Sequence, residues 1–316
     1  MSDVKKVATR EGFGKALVEQ GKIRNDFIVM DADLAAATKT EMFKKAFPER
    51  FYDCGIAEQN MMGIAAGIAA TGKKVVVSSF AMFAAGRAFE QVRNSIGYPH
   101  LPVVIGATHA GISVGEDGAS HQCCEDIALM RTIPGMTIIN PADETEALKA
   151  VAAALELDGP VYMRFGRLAV PVVFDDDYKF EIGKGVELRE GNDVTIIATG
   201  LMVNEALQAY ELLKAEGINA RIINMATIKP IDSEIVIKAA KETGAIVTAE
   251  EHSVIGGLGS AVCEVLSEEC PVPVVKLGVY DEFGHSGPAD KLLDEFGLRA
   301  VNIVEKAKKA IALKNA

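Results

Sequence analysis

Short runs of β-branched and apolar residues alternate along this chain with longer segments that have the apolar spacing of a helix. The run KKVVVSSF at 73–80 has an unbroken apolar centre, which is typical of a strand buried on both faces. DFIVMDAD (26–33) and LPVVIGAT (101–108) resemble it, whereas FGKALVEQ (13–20) and AEQNMMGIAAGIAA (57–70) are helix-like. This alternation predicts parallel sheets covered by helices on both faces.

The alternation is interrupted once, by the charged and glycine-containing stretch FDDDYKFEIGKGVELREGND at 174–193. It resumes with the strand-like DVTIIATG and the helix-like MVNEALQAYELLKAEG. A length of 316 residues, of which 49% are hydrophobic, is enough for two ordinary cores. We therefore predict an α/β protein of two consecutive three-layer α/β domains with mainly parallel sheets, covering residues 1–178 and 190–316.

Composition excludes several classes of partner. The formal net charge is −11, so we expect no nucleic-acid binding, which draws on clustered positive charge. The longest small-apolar run, at 61–72, is too short and glycine-rich to span a bilayer, and we expect no membrane partner and a cytoplasmic location. None of the five cysteines forms a C-x-x-C pair, so neither a disulfide framework nor a metal site is indicated.

One loop concentrates polar chemistry. The segment THAGISVGEDGASHQ (108–122) contains three glycines, two carboxylates and two of the chain's five histidines. Open parallel sheets bind ligands at loops beyond the carboxyl ends of their strands, and this segment follows such a strand. Other polar residues follow neighbouring strands: Asp31, Asp33, Asp53, Ser78 and Ser79. These loops predict a site for a polar ligand, and because the chain is acidic, an anion there needs a local cluster of cations.

Three further features each allow two interpretations. Glu58 begins an apolar helix. Its side chain is either a solvated carboxylate that stabilises the helix N-terminus or a buried acid with a raised pKa. Phe80 and Phe83, three residues apart on one predicted helical face, suit either core packing or stacking on a planar ligand. The glycines of EEHSVIGGLGSA (250–261) look like a phosphate loop but fit no phosphate-binding pattern, so a tight strand-to-helix turn is favoured. We assign His252 no catalytic role.

Several long segments together resemble transketolase, and more narrowly the carboxyl-terminal subunit of a split, two-chain transketolase. The resemblance covers nearly the whole chain. The segments that carry it are ATRE, DADLAAATKTEMFKKAFPERFYDCGIAEQNMMGIAAGIAA, SSFAMFAAGRAFEQVRNSIGYPHLPV, THAGISVGEDGASHQ and EEHSVIGGLGSAV.

The resemblance implies a thiamine-diphosphate enzyme with a pyrimidine-binding domain and a transketolase C-terminal domain. Glu58 matches the catalytic glutamate that hydrogen-bonds the aminopyrimidine nitrogen of the cofactor. Phe80 and Phe83 match the aromatic residues that pack on the pyrimidine. Asp33 matches an acidic residue near the cofactor at the subunit interface.

The resemblance also implies a sugar-phosphate site. His109 and His121 match histidines of the substrate channel, and both are expected to take part in catalysis. Asp117 matches the aspartate that reads a sugar hydroxyl. Arg10 and Arg164 match arginines that hold the phosphate together with His109, since guanidinium groups suit phosphate oxygens. Arg167 is near Arg164 in the sequence, and its correspondence is left open.

Three positions depart from the family pattern. Gly86 stands where full-length transketolases carry a third aromatic, and GASHQ replaces the more usual Pro-Thr before the histidine. Ala37 stands where a phosphate-binding serine is expected, with Thr38 as a substitute.

The chain also lacks the Gly-Asp-Gly segment and downstream asparagine through which the family holds magnesium and diphosphate. We therefore expect no metal ligand in this chain and predict that an amino-terminal transketolase subunit supplies them. The chain should form a dimer through MMGIAAGIAA. With the partner, it should form a complex of two copies of each chain.

The resemblance leaves three alternatives to a transketolase that moves a ketol unit between sugar phosphates. One is a subunit like deoxyxylulose-phosphate synthase, which RAFEQVRN and GIAEQN favour, while GEDGASHQ and His109 disfavour it. The second is the beta subunit of a 2-oxo-acid dehydrogenase, which needs no sugar-phosphate cluster. The third is a noncatalytic assembly partner that retains the fold. Glu58, Arg10 and Arg164 disfavour that last alternative, because a structural role does not require them.

Overall fold

A computed structural model describes residues 5–316, and in its first half the buried β-branched runs form strands. The strands of this half are β1 (Lys6–Ala8), β2 (Phe27–Asp31), β3 (Phe51–Asp53), β4 (Lys74–Phe80), β5 (Val103–Thr108), β6 (Thr137–Ile139), β7 (Val161–Arg164) and β8 (Ala169–Pro171). The α-helices are α1 (Thr9–Ile23), α2 (Ala35–Thr38), α3 (Glu41–Ala46), α4 (Glu58–Ala69), α5 (Phe89–Gln91), α6 (Asp126–Arg131) and α7 (Glu144–Ala154). Shorter 3₁₀ turns cover Pro48–Arg50 and Ile112–Asp117, and π-helical turns cover Met82–Arg87 and Val92–Gly97.

The second half repeats the strand–helix alternation. Its strands are β9 (Val186–Arg189), β10 (Val194–Ala198), β11 (Ala220–Asn224), β12 (Thr227–Lys229), β13 (Ile246–Ser253) and β14 (Val274–Val279). Its helices are α8 (Met202–Ala215), α9 (Ser233–Thr243), α10 (Leu258–Glu269), α11 (Ala289–Glu295) and α12 (Ala300–Lys314).

The larger sheet has the strand order β12-β6-β7-β5-β4-β2-β3, and its strands are parallel except β12. Every residue of β2, β5 and β7 is buried, as expected for strands covered on both faces. The pairings Asp31 with Ser78, Phe80 with Thr108 and Ala107 with Arg164 bring the carboxyl ends of four strands to one edge. This is the edge at which the sequence predicts the site.

The smaller sheet has the order β14-β13-β10-β11-β9, parallel except for β9. The strand β12, although it lies in the second half of the sequence, pairs with β6 at the edge of the larger sheet. One apolar cluster is correspondingly shared by the two halves, since Met225 and Ile228 belong to the same buried cluster as Ile138. None of the helices between residues 5 and 316 combines the length and the apolar composition that a bilayer crossing requires.

The predicted fold class is confirmed: the structure has two mainly parallel α/β sheets with helices packed on them. The helices and strands predicted above from periodicity all appear, from α1 through α8. The division at 1–178 and 190–316 stays a prediction. Its first four residues lie outside the described part of the chain.

Candidate active site

Glu58 is the first residue of α4, and its side chain is only 1% exposed. One carboxylate oxygen accepts a hydrogen bond from Nη1 of Arg87 at 2.7 Å, and the other lies 3.4 Å from the hydroxyl of Ser79 at the end of β4. Arg87 is 47% exposed and borders solvent. Glu58 is therefore a buried acid at the carboxyl edge of the sheet, and the solvated alternative is wrong.

Phe80 and Phe83 do not share a helical face, because Phe80 is the last residue of β4 and Phe83 lies in the π-helical turn that follows. Their rings nevertheless lie near each other, with centroids 5.9 Å apart. His109 stacks on Phe80 at 3.8 Å, and His121 meets the ring of Phe83 edge-on at 5.3 Å. The two phenylalanines thus form an aromatic cluster with both site histidines instead of packing only into the core.

His109 follows β5 with a φ of +56°, a left-handed conformation that is costly for a residue with a side chain. Its Nε2 lies 3.0 Å from Nη1 of Arg10, and its Nδ1 lies 2.9 Å from the hydroxyl of Thr108. A guanidinium only donates, so Nε2 accepts and the proton of the neutral ring lies on Nδ1. Burial, with the charges of Arg10 and Arg167, lowers the pKa of His109 to about 3. His109 is therefore neutral near pH 7.

Three cations lie around this neutral histidine. Arg10, in the first turn of α1, donates to the carbonyl of Ala37 at 2.9 Å as well as to His109. Its Nε is buried and has no hydrogen-bond partner within residues 5–316. The charges of Arg10, Arg167 and Lys39 all lower the pKa of His109, and Lys39 also pairs with Glu11 at 2.8 Å. A buried donor without a partner beside two further cations suits an anionic ligand.

The structure does not bring Arg164 to this cluster. Its guanidinium is 4% exposed and donates from Nε to Asp126 at 2.9 Å and from Nη2 to the carbonyl of Glu251 at 2.9 Å. The reason is that β7 ends in the interior between the two sheets, where a charged group requires a buried partner. Arg167, three residues later, extends toward the loop and donates to the carbonyl of Val114. Its charge is among those that lower the pKa of His109.

The two site aspartates lie in different surroundings. Asp117 ends the 3₁₀ turn Ile112–Asp117, and its carboxylate lies 3.4 Å from Nη1 of Arg167. It therefore borders the cation cluster. Asp33 has a φ of +63°, and its amide donates to Asp53. It lines a depression together with Ala37 and Asp53, and the phenylalanines and histidines of the aromatic cluster are not among the lining residues.

The departures from the family pattern have structural counterparts. The hydroxyl of Thr38 is buried and donates to Asp31 at 2.7 Å, so it does not replace a phosphate-binding serine at position 37. A Cβ at Gly86 would lie 2.2 Å from the terminal carbon of Met82. A larger residue at position 86 would therefore require the side chain of Met82 to move.

The glycine loop of the second half closes on a side chain of its own strand. The carboxylate of Glu250, in β13, accepts hydrogen bonds from the amides of Leu258 and Gly259 at 2.7 and 2.8 Å. A Cβ at Gly257 would lie 2.0 Å from that carboxylate, so only glycine fits there. As favoured from sequence, the loop is a strand-to-helix turn. His252 is buried, and its Nε2 accepts from the amide of Ala128, which makes it a structural histidine between the two halves.

The site fits part of a thiamine cofactor. A buried carboxylate beside aromatic rings, as at Glu58, Phe80 and Phe83, is suited to the nitrogen and the plane of an aminopyrimidine. Across residues 5–316, no three His, Cys, Asp or Glu side chains come together as a metal site would require. The structure brings most of the residues named from sequence to this edge and adds two that sequence reasoning did not name, Arg87 and Lys39. Arg87 falls within the SSFAMFAAGRAFEQ segment, but nothing in that segment indicates its contact with Glu58.

Comparison with known proteins agrees with this architecture. Residues 5–172 match the family described as "Transketolase, pyrimidine binding domain", and residues 183–303 match "Transketolase, C-terminal domain". A solved structure described as "Split gene transketolase, inactive beta4 tetramer" is 55% identical, with a TM-score of 0.90, over 98% of this chain and all of that one.

Curated relatives include both short and long chains. The "Putative transketolase C-terminal section" of Methanocaldococcus jannaschii is 52% identical over 94% of each chain. A 6-deoxy-6-sulfo-D-fructose transketolase subunit of a Clostridium species is 44% identical over 97% of this chain and 95% of its own. A 1-deoxy-D-xylulose-5-phosphate synthase of Heliobacterium modesticaldum is 39% identical over 94% of this chain but only 46% of its own length. With both domain families matched in order along nearly its whole length, the chain belongs to the transketolase family.

Proposed function

We propose that this chain is the pyrimidine-side subunit of a two-chain, thiamine-diphosphate-dependent transketolase. In this proposal the enzyme transfers a two-carbon ketol unit from a ketose phosphate to an aldose phosphate, as in the pentose phosphate pathway. The observation that carries the proposal is the juxtaposition at one sheet edge of buried Glu58, the aromatic cluster, and the cations around His109. One half of that arrangement suits a cofactor and the other a phosphorylated substrate.

Thiamine diphosphate, when bound, supplies an electron sink for cleavage of a carbon–carbon bond in the ketose. Glu58 would hold a proton at the ring nitrogen of the aminopyrimidine, since a carboxylate this buried is shielded from exchange with solvent. Phe83 and Phe80 would limit the position of the ring. Arg87, which contacts Glu58 at 2.7 Å, would have to share that carboxylate or leave it when the pyrimidine enters.

The substrate would lie between the aromatic cluster and the cations. Arg10, Lys39 and Arg167 would hold its phosphate, and the unpartnered Nε of Arg10 offers one donor for it. His109 is neutral and would act through hydrogen bonds instead of charge. His121 and Asp117 lie at the rim of the same site and would contact the sugar hydroxyls.

The remainder of the cofactor site would come from an amino-terminal transketolase subunit. Magnesium with a diphosphate needs several oxygen ligands in near-octahedral geometry, and the partner would supply those ligands. Self-association would use the exposed side of α4, where Gly63, Ile64 and Gly67 face solvent near exposed Tyr52 and Ile56. The active complex would contain two copies of each chain.

The deciding experiment is a coupled transketolase assay on the lone chain and on its mixture with the cognate amino-terminal subunit, magnesium and cofactor. Calorimetry of cofactor binding accompanies each sample. We expect the lone chain to be folded, self-associated and inactive, and the mixture to transfer the ketol unit. Tight cofactor binding or full turnover by the lone chain would contradict the two-chain proposal. An inactive mixture would favour a noncatalytic assembly role.

A synthase-type activity is the second candidate, because the chain is similar to deoxyxylulose-phosphate synthase and, with Gly86, lacks the third aromatic of full-length transketolases. The same mixture supplied with pyruvate and glyceraldehyde 3-phosphate separates the two candidates. Release of carbon dioxide would identify the synthase. Ketol transfer without decarboxylation would identify the transketolase.

A further inference from the structure

The loop 108–122 carries His109, Asp117 and His121, and residues of both halves of the chain hold it in place. Its 3₁₀ turn packs against α11 of the second half. Two hydrogen bonds also hold the loop to the second half, one at Ser113 and one at Gln122.

The first contact is made by Glu251, which lies in β13 with a buried side chain. Its carboxylate accepts a hydrogen bond from the amide of Ser113 at 2.5 Å. Its carbonyl accepts from Arg164, which ties the same residue to β7. Gly111 has a φ of +83°, and a Cβ there would lie 2.3 Å from the carboxyl carbon of Glu251. The path of the loop is therefore shaped around this carboxylate.

The second contact is made by the amide of Gln122. Its Nε2 donates both to the carbonyl of Ile112 within the loop, at 3.1 Å, and to the carbonyl of His285 in the second half, at 3.0 Å. The loop is thus held at Ser113 and at its end, Gln122, by groups from beyond residue 250. Asp117 and the carbonyl of Val114, both held by Arg167, lie between the two fastened points.

We propose that Glu251 is a positioning residue of the active site. It touches neither the aromatic cluster nor the cations, and it acts by fixing the loop so that His109, Asp117 and His121 converge with Arg10 and Arg167. The second domain then has a definite task, which is to complete the anion site of the first. The identity of the anion as a sugar phosphate rests on the proposed function; the fastening of the loop does not.

The test compares Glu251→Ala and Glu251→Gln with Glu250→Ala on the full chain. Glu250 is a matched control, since it is the adjacent buried carboxylate on the same strand but holds the amides of Leu258 and Gly259. Three quantities are measured: hydrogen exchange of the Ser113 amide, the imidazole NMR resonances of His109 and His121, and the affinity for inorganic phosphate.

We expect Glu251→Ala to speed exchange at Ser113 at least tenfold, to shift both imidazole resonances, and to weaken phosphate binding at least fivefold. Glu251→Gln keeps an acceptor oxygen and should stay within twofold of wild type in exchange and affinity. Glu250→Ala should speed exchange at Leu258 and Gly259 only. If Glu251→Ala does not fold, Ser113→Pro removes the same hydrogen bond from the loop side and should weaken phosphate binding equally.

Unchanged imidazole resonances and phosphate affinity in Glu251→Ala, or in Ser113→Pro, would overturn the proposal. So would an equal loss of phosphate affinity in Glu250→Ala, because the effect would then be one of general stability. Absence of phosphate binding by the wild-type chain would count against the proposed function instead. In that case the exchange rates and imidazole resonances decide whether Glu251 positions the loop.

Discussion

Each of the two sheets has a glycine-rich loop at the carboxyl end of one strand, and the two loops differ in whether nearby polar groups are already hydrogen-bonded. In the second half, the loop after β13 closes on Glu250, whose carboxylate satisfies the amides that a phosphate would otherwise bind. In the first half, the loop after β5 borders Arg10, whose Nε has no partner among the described residues. Glycine content alone therefore does not distinguish a binding loop from a structural turn. Polar groups that the chain leaves unsatisfied do.

The largest effect should follow from removing the buried carboxylate of the first half. Glu58→Gln, in the enzyme assembled with its amino-terminal subunit, should slow exchange of the cofactor's C2 proton by roughly 10² to 10⁴, the range of general acid–base catalysis. Quenched-flow NMR measures that rate. The matched change in the second half, Glu250→Gln, should leave it unchanged. Wild-type exchange in Glu58→Gln would remove this residue from the chemistry.

Next in size is the loss of the buried ion pair between Arg164 and Asp126, which joins β7 to α6 within the first half. Arg164→Ala leaves Asp126 buried without its cation, which should lower the free energy of unfolding by about 3–5 kcal/mol. Urea titration measures this change, with the exposed Arg93→Ala as control. In the assembled enzyme, phosphorylated and unphosphorylated donors should be affected alike. A selective loss with phosphorylated donors would return Arg164 to the anion site.

Substitution of the arginines near His109, unlike that of Arg164, should affect phosphorylated donors more than unphosphorylated ones. Arg10→Ala or Arg167→Ala removes a charge-assisted contact worth about 1.5–3 kcal/mol, or roughly 10- to 150-fold in binding. The Michaelis constant for a ketose phosphate should rise accordingly, while that for hydroxypyruvate changes little. Steady-state kinetics with both donors provides the measurement. Equal losses with the two donors would make these arginines structural.

The smallest effect concerns the carboxylate that closes the second loop. Burial raises the pKa of Glu250 to about 7, above its value in the unfolded chain, so the folded state binds the proton more tightly. This group's contribution to stability is therefore present below about pH 4.5 and is lost as the pH rises to about 7. Glu250→Gln loses one acceptor, which should cost about 1 kcal/mol at pH 5. The deficit should shrink at pH 8, and urea titrations that show it widening would contradict this assignment.

Sequence periodicity was sufficient to predict the sheets and the edge at which the structure gathers the candidate site residues. It was insufficient for Arg164 and Arg167, because two arginines three residues apart differ only in what surrounds them. The partner that holds Arg164 is Asp126, 38 residues earlier, and no local pattern links the two. Phe80 and Phe83 were placed on one helix because their spacing is helical. The strand in fact continues through Phe80, and a π-helical turn brings the two rings together.

The position of β12 has a consequence for how this chain can be divided. Residues 227–229 cover the outer edge of β6, so the larger sheet is completed only by a strand from the second half of the chain. A fragment that stops at residue 178 would leave the hydrogen-bonding groups of β6 open, and an open edge is a template for pairing with other chains. A chain divided between the two sheets would therefore yield a first fragment prone to aggregation.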